Sequence, residues 1–200
     1  DRDPLLAFVN TCINEKIATQ KDFDKILEGV KIQVDSDAEW AESQPDPNPA
    51  EAFSNVVTAI NKQEIIAPNT KSEEKVVLVD AINHALDEEL ANNDKMVIYG
   101  QDVAGDKGGV FTATRGLTDK YGKDRVFNSP LAESSIIGTA IGMATLGYRP
   151  VVEIQFGDYI WYGMMQIRNE VATLRYRSNG HWSCPLVIRV PVGGYIHGSL

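Results

Sequence analysis

Apolar residues keep one period up to about residue 75 and other periods after it. In the first stretch they recur every three or four positions, the spacing of a helix with one buried face. Asp3-Pro4 opens a helix carrying Leu5, Leu6, Phe8, Val9 and Ile13, with Asp as cap and Pro at the first helical position. Thr19 caps a second helix with Phe23, Ile26, Leu27, Val30 and Val34 on one face, running to about Ser43. Its other positions are heavily charged, which predicts a solvated face. Gln44-Pro45-Asp46-Pro47-Asn48-Pro49 ends it, because prolines at alternate positions cannot continue a helix. A short helix is predicted near Ala50–Ala59, and the polar, unpatterned residues 60–75 read as a linker.

From Val79 onward, helical periods alternate with short apolar runs. A helix over Val79–Asn92 presents Ile82, Leu86 and Leu90. Met96–Tyr99, Val126-Phe127, Val151–Phe156 and Pro185–Val190 read as strands. Met96–Tyr99 is apolar at four consecutive positions, and the two longer runs are mostly apolar, as in strands covered on both faces. Strands alternating with helices predict an α/β fold, a parallel sheet with helices on both faces. The loop from Gln101 to Val110 holds Gly105, Gly108 and Gly109 without the spacing of a nucleotide-binding fingerprint, and reads as a mobile loop. After Tyr159 a long helix is predicted from Met164, Ile167, Val171 and Leu174, with Asp158 as its cap.

Asn128–Tyr162 holds the features that need explaining. A Ser-Pro turn opens a helix with apolar Ile137, Ile141 and Ala144, stopped at Gly147. Gly138 and Gly142 lie inside it, four apart on one face. Each costs about 1 kcal/mol against alanine, which predicts that another helix, from a second subunit, packs closely there. Glu133 stands in the first turn, where a carboxylate gains from the helix dipole whether or not it has a chemical role.

Charge and cysteine content narrow the function. The chain carries 28 acidic and 19 basic residues, a net of −9. The imbalance is concentrated through Lys75, with 15 against 8, a net of −7; the rest carries 13 against 11, a net of −2. No basic stripe exists to neutralise phosphates, so no nucleic-acid partner is expected. Cys12 and Cys184 are too few for a disulfide framework or a cysteine zinc site and fit a reducing cytoplasm. No apolar run reaches the length that spans a membrane.

Leu131-Ala132-Glu133-Ser134, Glu153-Ile154-Gln155-Phe156-Gly157-Asp158-Tyr159 and Arg175-Tyr176-Arg177-Ser178 fall in one order and spacing. Together they resemble the beta subunit of thiamine-diphosphate-dependent 2-oxo acid dehydrogenases, over Val79–Leu200. Asp3-Pro4-Leu5-Leu6, the acidic helix and Ser43-Gln44-Pro45-Asp46-Pro47 resemble the C-terminal tail of the alpha subunit of the same enzymes. The resemblance implies a bacterial-type alpha–beta fusion divided as residues 1–59, an alpha-like helical tail; 60–75, a linker; and 76–200, a truncated pyrimidine-binding domain.

The same resemblance, and nothing else in the sequence, implies a site and its partners. By family position Glu133 is the catalytic residue: its carboxylate meets a ring nitrogen of the cofactor's aminopyrimidine, in a pocket dried by Leu131 and Ile136. Tyr159 packs on the pyrimidine ring, and Leu131 and Gln155 belong to the same pocket. Backbone carbonyls of Cys184, Leu186 and Val187 match a potassium-binding segment of some relatives. Magnesium and the cofactor's diphosphate are held outside this chain, by an alpha-type region. The other implied partners are a second copy of the enzyme, a lipoyl-bearing acyltransferase and a 2-oxo acid, branched-chain before pyruvate. The active-site histidine is expected in a Tyr-His-Ser motif just past Leu200, not at His197, and the chain alone is not expected to turn over substrate. Two alternatives stay open: a transketolase-like enzyme, and a non-catalytic module that binds a partner through the Gly138/Gly142 face.

Overall fold

The computed structural model describes residues 3–58 and 75–193. The linker, apart from Lys75, and His197 lie outside them. The chain divides into two compact units, Asp1–Ala52 and Phe53–Leu200.

In the first unit, α1 (Pro4–Asn14) starts with the Asp3 side chain accepting the Leu5 amide. Helix α2 (Gln20–Ser43) starts with a capping box: Thr19 Oγ1 accepts from the Asp22 amide and Asp22 accepts from the Thr19 amide. These are the predicted boundaries. The short helix predicted near Ala50–Ala59 is a 3-10 turn, Pro49–Phe53. No residue of α2 is buried.

The second unit is an α/β layer structure. Helix α3 (Leu78–Asn92) leads to β1 (Met96–Gly100), α4 (Leu117–Tyr121) to β2 (Val126–Asn128), and α5 (Glu133–Thr145) to β3 (Arg149–Glu153). Helix α6 (Leu174–Arg177) precedes β4 (Val187–Arg189). The sheet is parallel, in the order β2-β1-β3-β4. Alternate residues of the central strands serve opposite faces. Met96, Ile98 and Val151 join Leu90, Leu117 and Val126 on one side. Val97, Tyr99 and Val152 join Ile136, Ile137 and Ala140 of α5 on the other. Both faces are covered, which is why these strands read as mostly apolar runs.

Three expectations change. The long helix predicted after Tyr159 is three pieces: a 3-10 turn over Gly157–Gly163, a π-helical turn over Gln166–Val171, and α6. Asp158 lies within the first turn of the 3-10 piece and makes no cap hydrogen bond; Phe156 occupies the cap position. The loop read as mobile is tied down: Gly109 donates to the Asp102 carbonyl at 2.9 Å, Thr114 to that of Gly108 at 2.7 Å, and Ala104 to Asn128 Oδ1 at 2.8 Å. Among the described residues of this chain, no backbone comes close to Gly138 or Gly142. A Cβ at Gly142 would meet nothing within 4 Å, and one at Gly138 only the Gln166 side chain, at 3.6 Å. At Gly163 a Cβ would stand 2.4 Å from Ile137 Cδ1. Gly163 is therefore the residue that lets the 3-10 turn lie against α5.

Candidate active site

The order of the strands sets where a site forms. From β1 the chain passes to β2 on one side; from β3 it passes to β4 on the other. The loops leaving β1 and β3 therefore diverge, and open α/β sheets place ligands in the crevice beyond such strand ends. Gln101 and Asp102 follow β1, Gln155 follows β3, and Glu133 begins the helix that joins β2 to β3. The topology thus gathers four residues, from three separate stretches of the sequence, at the carboxyl edge of the sheet.

Glu133 is the first residue of α5, after an Ala132 that contributes no side-chain cap. Its carboxylate therefore sits among amides lacking intrahelical partners, where negative charge is favoured. The helix is fixed by Tyr99, whose hydroxyl donates to the Ile136 carbonyl at 2.8 Å and lies 2.7 Å from Thr139 Oγ1. Burial pushes the Tyr99 hydroxyl's pKa up, so it stays a donor. Ser134 donates to the Tyr162 carbonyl and ties α5 to the 3-10 turn. Glu133 Oε1 accepts from Gln101 Nε2 at 3.2 Å. Among the described residues its Oε2 has no hydrogen-bond partner, so one oxygen of a fixed carboxylate is available to a ligand.

The other residues named from the sequence divide. Gln155 is in the same crevice but donates to Asp102 Oδ2 at 3.3 Å, not to Glu133. Asp102 also accepts from Lys107 at 2.9 Å. The Tyr159 ring packs on the core and meets Phe156 edge-to-face at 5.5 Å. Leu131 is 83% exposed and Ile136 lies in the core, so neither dries Glu133 within this chain; the pocket expected around it is open on the Leu131 side. Cys184, Leu186 and Val187 are at the start of β4, and the last two line a cleft shared with the starts of β1 and β3. That is the end of the sheet opposite Glu133. The Cys184 carbonyl accepts the Leu186 amide at 2.9 Å, which leaves one of its two lone pairs for a cation.

Two participants were missed in the sequence. Gln101 is 3% exposed and reaches Glu133. Its signal was its place, the first residue after an apolar strand ending in glycine. The second is a buried ion pair. Glu153, 2% exposed, is bonded by Arg189 and accepts the Val110 amide at 2.8 Å, while Arg189 donates to the Val110 carbonyl at 3.2 Å. Burial pushes the Glu153 carboxyl up; the Val110 amide and the Arg189 guanidinium pull it back only in part. This pair ties β3 and β4 to the loop that begins at Gln101. Among the described residues no three His, Cys, Asp or Glu side chains converge as a metal cluster.

Comparison with known proteins bears on this edge of the sheet. Residues 74–199 match the family model of the transketolase pyrimidine-binding domain. The chain is 51% identical over 122 residues, 61% of its own length and 37% of the relative's, to the 2-oxoisovalerate dehydrogenase subunit beta of Bacillus subtilis. To the subunit of that name in Pseudomonas aeruginosa it is 47% identical over 131 residues, 66% and 37% of the two chains. To the pyruvate dehydrogenase E1 component subunit beta of Bacillus subtilis it is 46% identical over 123 residues, 62% and 38%. The chain thus spans under two fifths of the length of these relatives.

Proposed function

The chain belongs to the transketolase pyrimidine-binding domain family, and we propose on that premise that it forms the pyrimidine-binding part of a thiamine-diphosphate-dependent 2-oxo acid dehydrogenase. The observation that carries the proposal is Glu133: a carboxylate at a helix start on the carboxyl edge of the sheet, one oxygen held by Gln101 and the other open. A cofactor whose aminopyrimidine must exchange a proton needs such an acceptor at a fixed position. When bound, thiamine diphosphate supplies the carbon that attacks the 2-oxo group and the electron sink for decarboxylation. The protein's part is orientation and proton control. Glu133 Oε2 would accept a hydrogen bond from a ring nitrogen of the aminopyrimidine, and Tyr159 would pack on that ring. Gln155 with Asp102 closes the β3 side of the crevice.

The substrate class follows the relatives. Two of these three similar proteins are named for 2-oxoisovalerate, so a branched-chain 2-oxo acid is preferred over pyruvate, with transfer of the acyl group to a lipoyl arm of an acyltransferase. An alpha-type region supplies the diphosphate and magnesium site, and a second copy completes the assembly. The acidic helical unit is the tail of that alpha-type region, joined to the beta-type part in one chain of a bacterial cytoplasm. A potassium ion on the carbonyls of Cys184, Leu186 and Val187 would stiffen the start of β4. Replacing potassium with choline should then lower the thermal midpoint, and an unchanged midpoint removes the ion from the proposal.

The test is Glu133→Gln in the assembled enzyme. Proton exchange at the thiazolium carbon, followed by quenched deuterium exchange, should slow by about 100-fold or more, with cofactor binding retained. Exchange at the wild-type rate refutes the role. Comparison of kcat/KM for 2-oxoisovalerate and pyruvate decides the substrate.

A further inference from the structure

Gln101 is buried at the bottom of the crevice, yet its side chain belongs to neither core cluster. A buried amide is costly unless it is hydrogen-bonded, and its amide nitrogen points at one acceptor, Glu133 Oε1, at 3.2 Å. The backbone brings it there. A Cβ at Gly100 would stand 2.4 Å from the Glu153 carbonyl oxygen. Only glycine lets the end of β1 lie this close to β3, and the next residue is then directed across the crevice toward the start of α5. The loop beyond is locked by the Val110–Glu153–Arg189 bonds. Three separate features of the fold thus converge on holding one amide against one carboxylate.

We propose that Gln101 is a positioning residue for Glu133: it fixes the carboxylate through Oε1 so that Oε2 alone faces the ligand. This rests on the proposed role of Glu133. An amide N–H can only donate, so it holds Oε1 as an acceptor and leaves Oε2 to the ligand. A carboxylate in its place would put two acids within contact. The pair would then titrate in two steps, the second displaced upward. Other charges on the elements around Glu133 are largely paired: Asp102 with Lys107, Glu153 with Arg189, and Glu170 with Arg177. Asp158, Tyr159, Tyr162 and Arg168 lie on the 3-10 and π turns that pack on α5. Substitution of Gln101 leaves all of these in place.

Two variants of the assembled enzyme test the proposal. Gln101→Glu keeps the shape and adds charge; Gln101→Leu removes the donor. With cofactor removed and glutamate carboxyl carbons labelled, the Glu133 signal is identified by its loss in Glu133→Gln. Gln101→Glu should move its titration upward by about one pH unit or more, and Gln101→Leu by a smaller amount. With cofactor present, proton exchange at the thiazolium carbon should slow about 10- to 100-fold in Gln101→Leu, as expected when an acceptor loses its orientation. In Gln101→Glu the pH profile of exchange should move upward with the titration. A Glu133 signal titrating as in wild type in Gln101→Glu overturns the proposal, and that variant decides alone if Gln101→Leu does not fold. Unchanged exchange in Glu133→Gln would instead overturn the role of Glu133, while the cofactor-free titration still decides whether Gln101 governs its proton.

Discussion

Helix α2 and strand β1 are both marked by apolar residues in the sequence, and they end in opposite environments. All five residues of β1 are buried; none of the 24 in α2 is. Ile26, Leu27, Val30 and Val34 lie on an apolar stripe and are each more than half exposed. What holds α2 is local: the Thr19–Asp22 capping box and bonds one turn apart, Gln20 to Asp24 and Gln33 to Asp37. Such pairs contribute a few tenths of a kcal/mol each, against which most helical stability in proteins comes from packing an apolar face. Strand β1 has little local stability and lies between two faces of core. Periodicity therefore reports that an element forms; what covers it depends on elements elsewhere.

Substitutions can widen or erase that contrast. The largest effect is expected from Arg189→Met, which leaves the Glu153 carboxylate buried without its partner. Breaking such a pair costs about 3–5 kcal/mol. The pH dependence has a definite sign. Burial holds the Glu153 carboxyl above its ordinary value of 4.5, so the folded chain binds that proton more tightly than the unfolded one. The group's contribution is complete below pH 4.5 and declines as pH rises through the folded value. Urea unfolding of Arg189→Met should therefore show the full loss near pH 8 and a much smaller one near pH 4.5; a loss independent of pH would contradict the burial of Glu153. Ile137→Ala comes next, at about 2–5 kcal/mol, because it empties the contact between α5 and Gly163. Hydrogen exchange should show the loss throughout the sheet and not in α2. Thr19→Ala should cost α2 about 1 kcal/mol, read as faster exchange in its first turn. That start also weakens as pH falls below 3.8 through the lowered pKa of Asp22, which the Thr19 side chain and amide hold down. Smallest is Leu27→Gln on the exposed stripe, within about 0.5 kcal/mol by thermal melting. A larger loss would mean that this stripe is covered in solution.

Much of this arrangement was legible beforehand. The caps at Asp3 and Thr19 and the proline stop after Ser43 are short-range chemistry, and they fixed both ends of α2. Short, mostly apolar runs marked the buried parallel strands. Glu133 was named by resemblance, and its position in a first helical turn was legible from the Ser-Pro turn before it. Legibility failed where contacts cross the chain. Met164, Ile167, Val171 and Leu174 are spaced for a regular helix, but Gly163 lies so close on Ile137 that the backbone winds first tight, then wide. Gly138 and Gly142 attracted attention because glycine is costly in a helix. Gly163, which carries the close approach to Ile137, sat in a stretch that reads as one regular helix. The only signal of Gln101 was its place after an apolar strand ending in glycine; its contact with Glu133 depends on strand order and on the missing side chain at Gly100.

The strand order also governs when the site can come into being. The central ladder joins Met96–Gly100 to Arg149–Glu153, so β1 leaves the ribosome well before its main neighbour. Until then β2 is its only strand partner among the described residues, along three residues, and the far side of β1 must wait. Domains assemble during synthesis roughly from the amino end, and pairings between distant segments form slowly. Gln101 emerges early but has no carboxylate to meet until α5 is seated, and α5 is seated by the same closure that brings in β3. The crevice is thus among the last parts of the sheet to exist. A nascent chain paused before Arg149 should carry helices and no site.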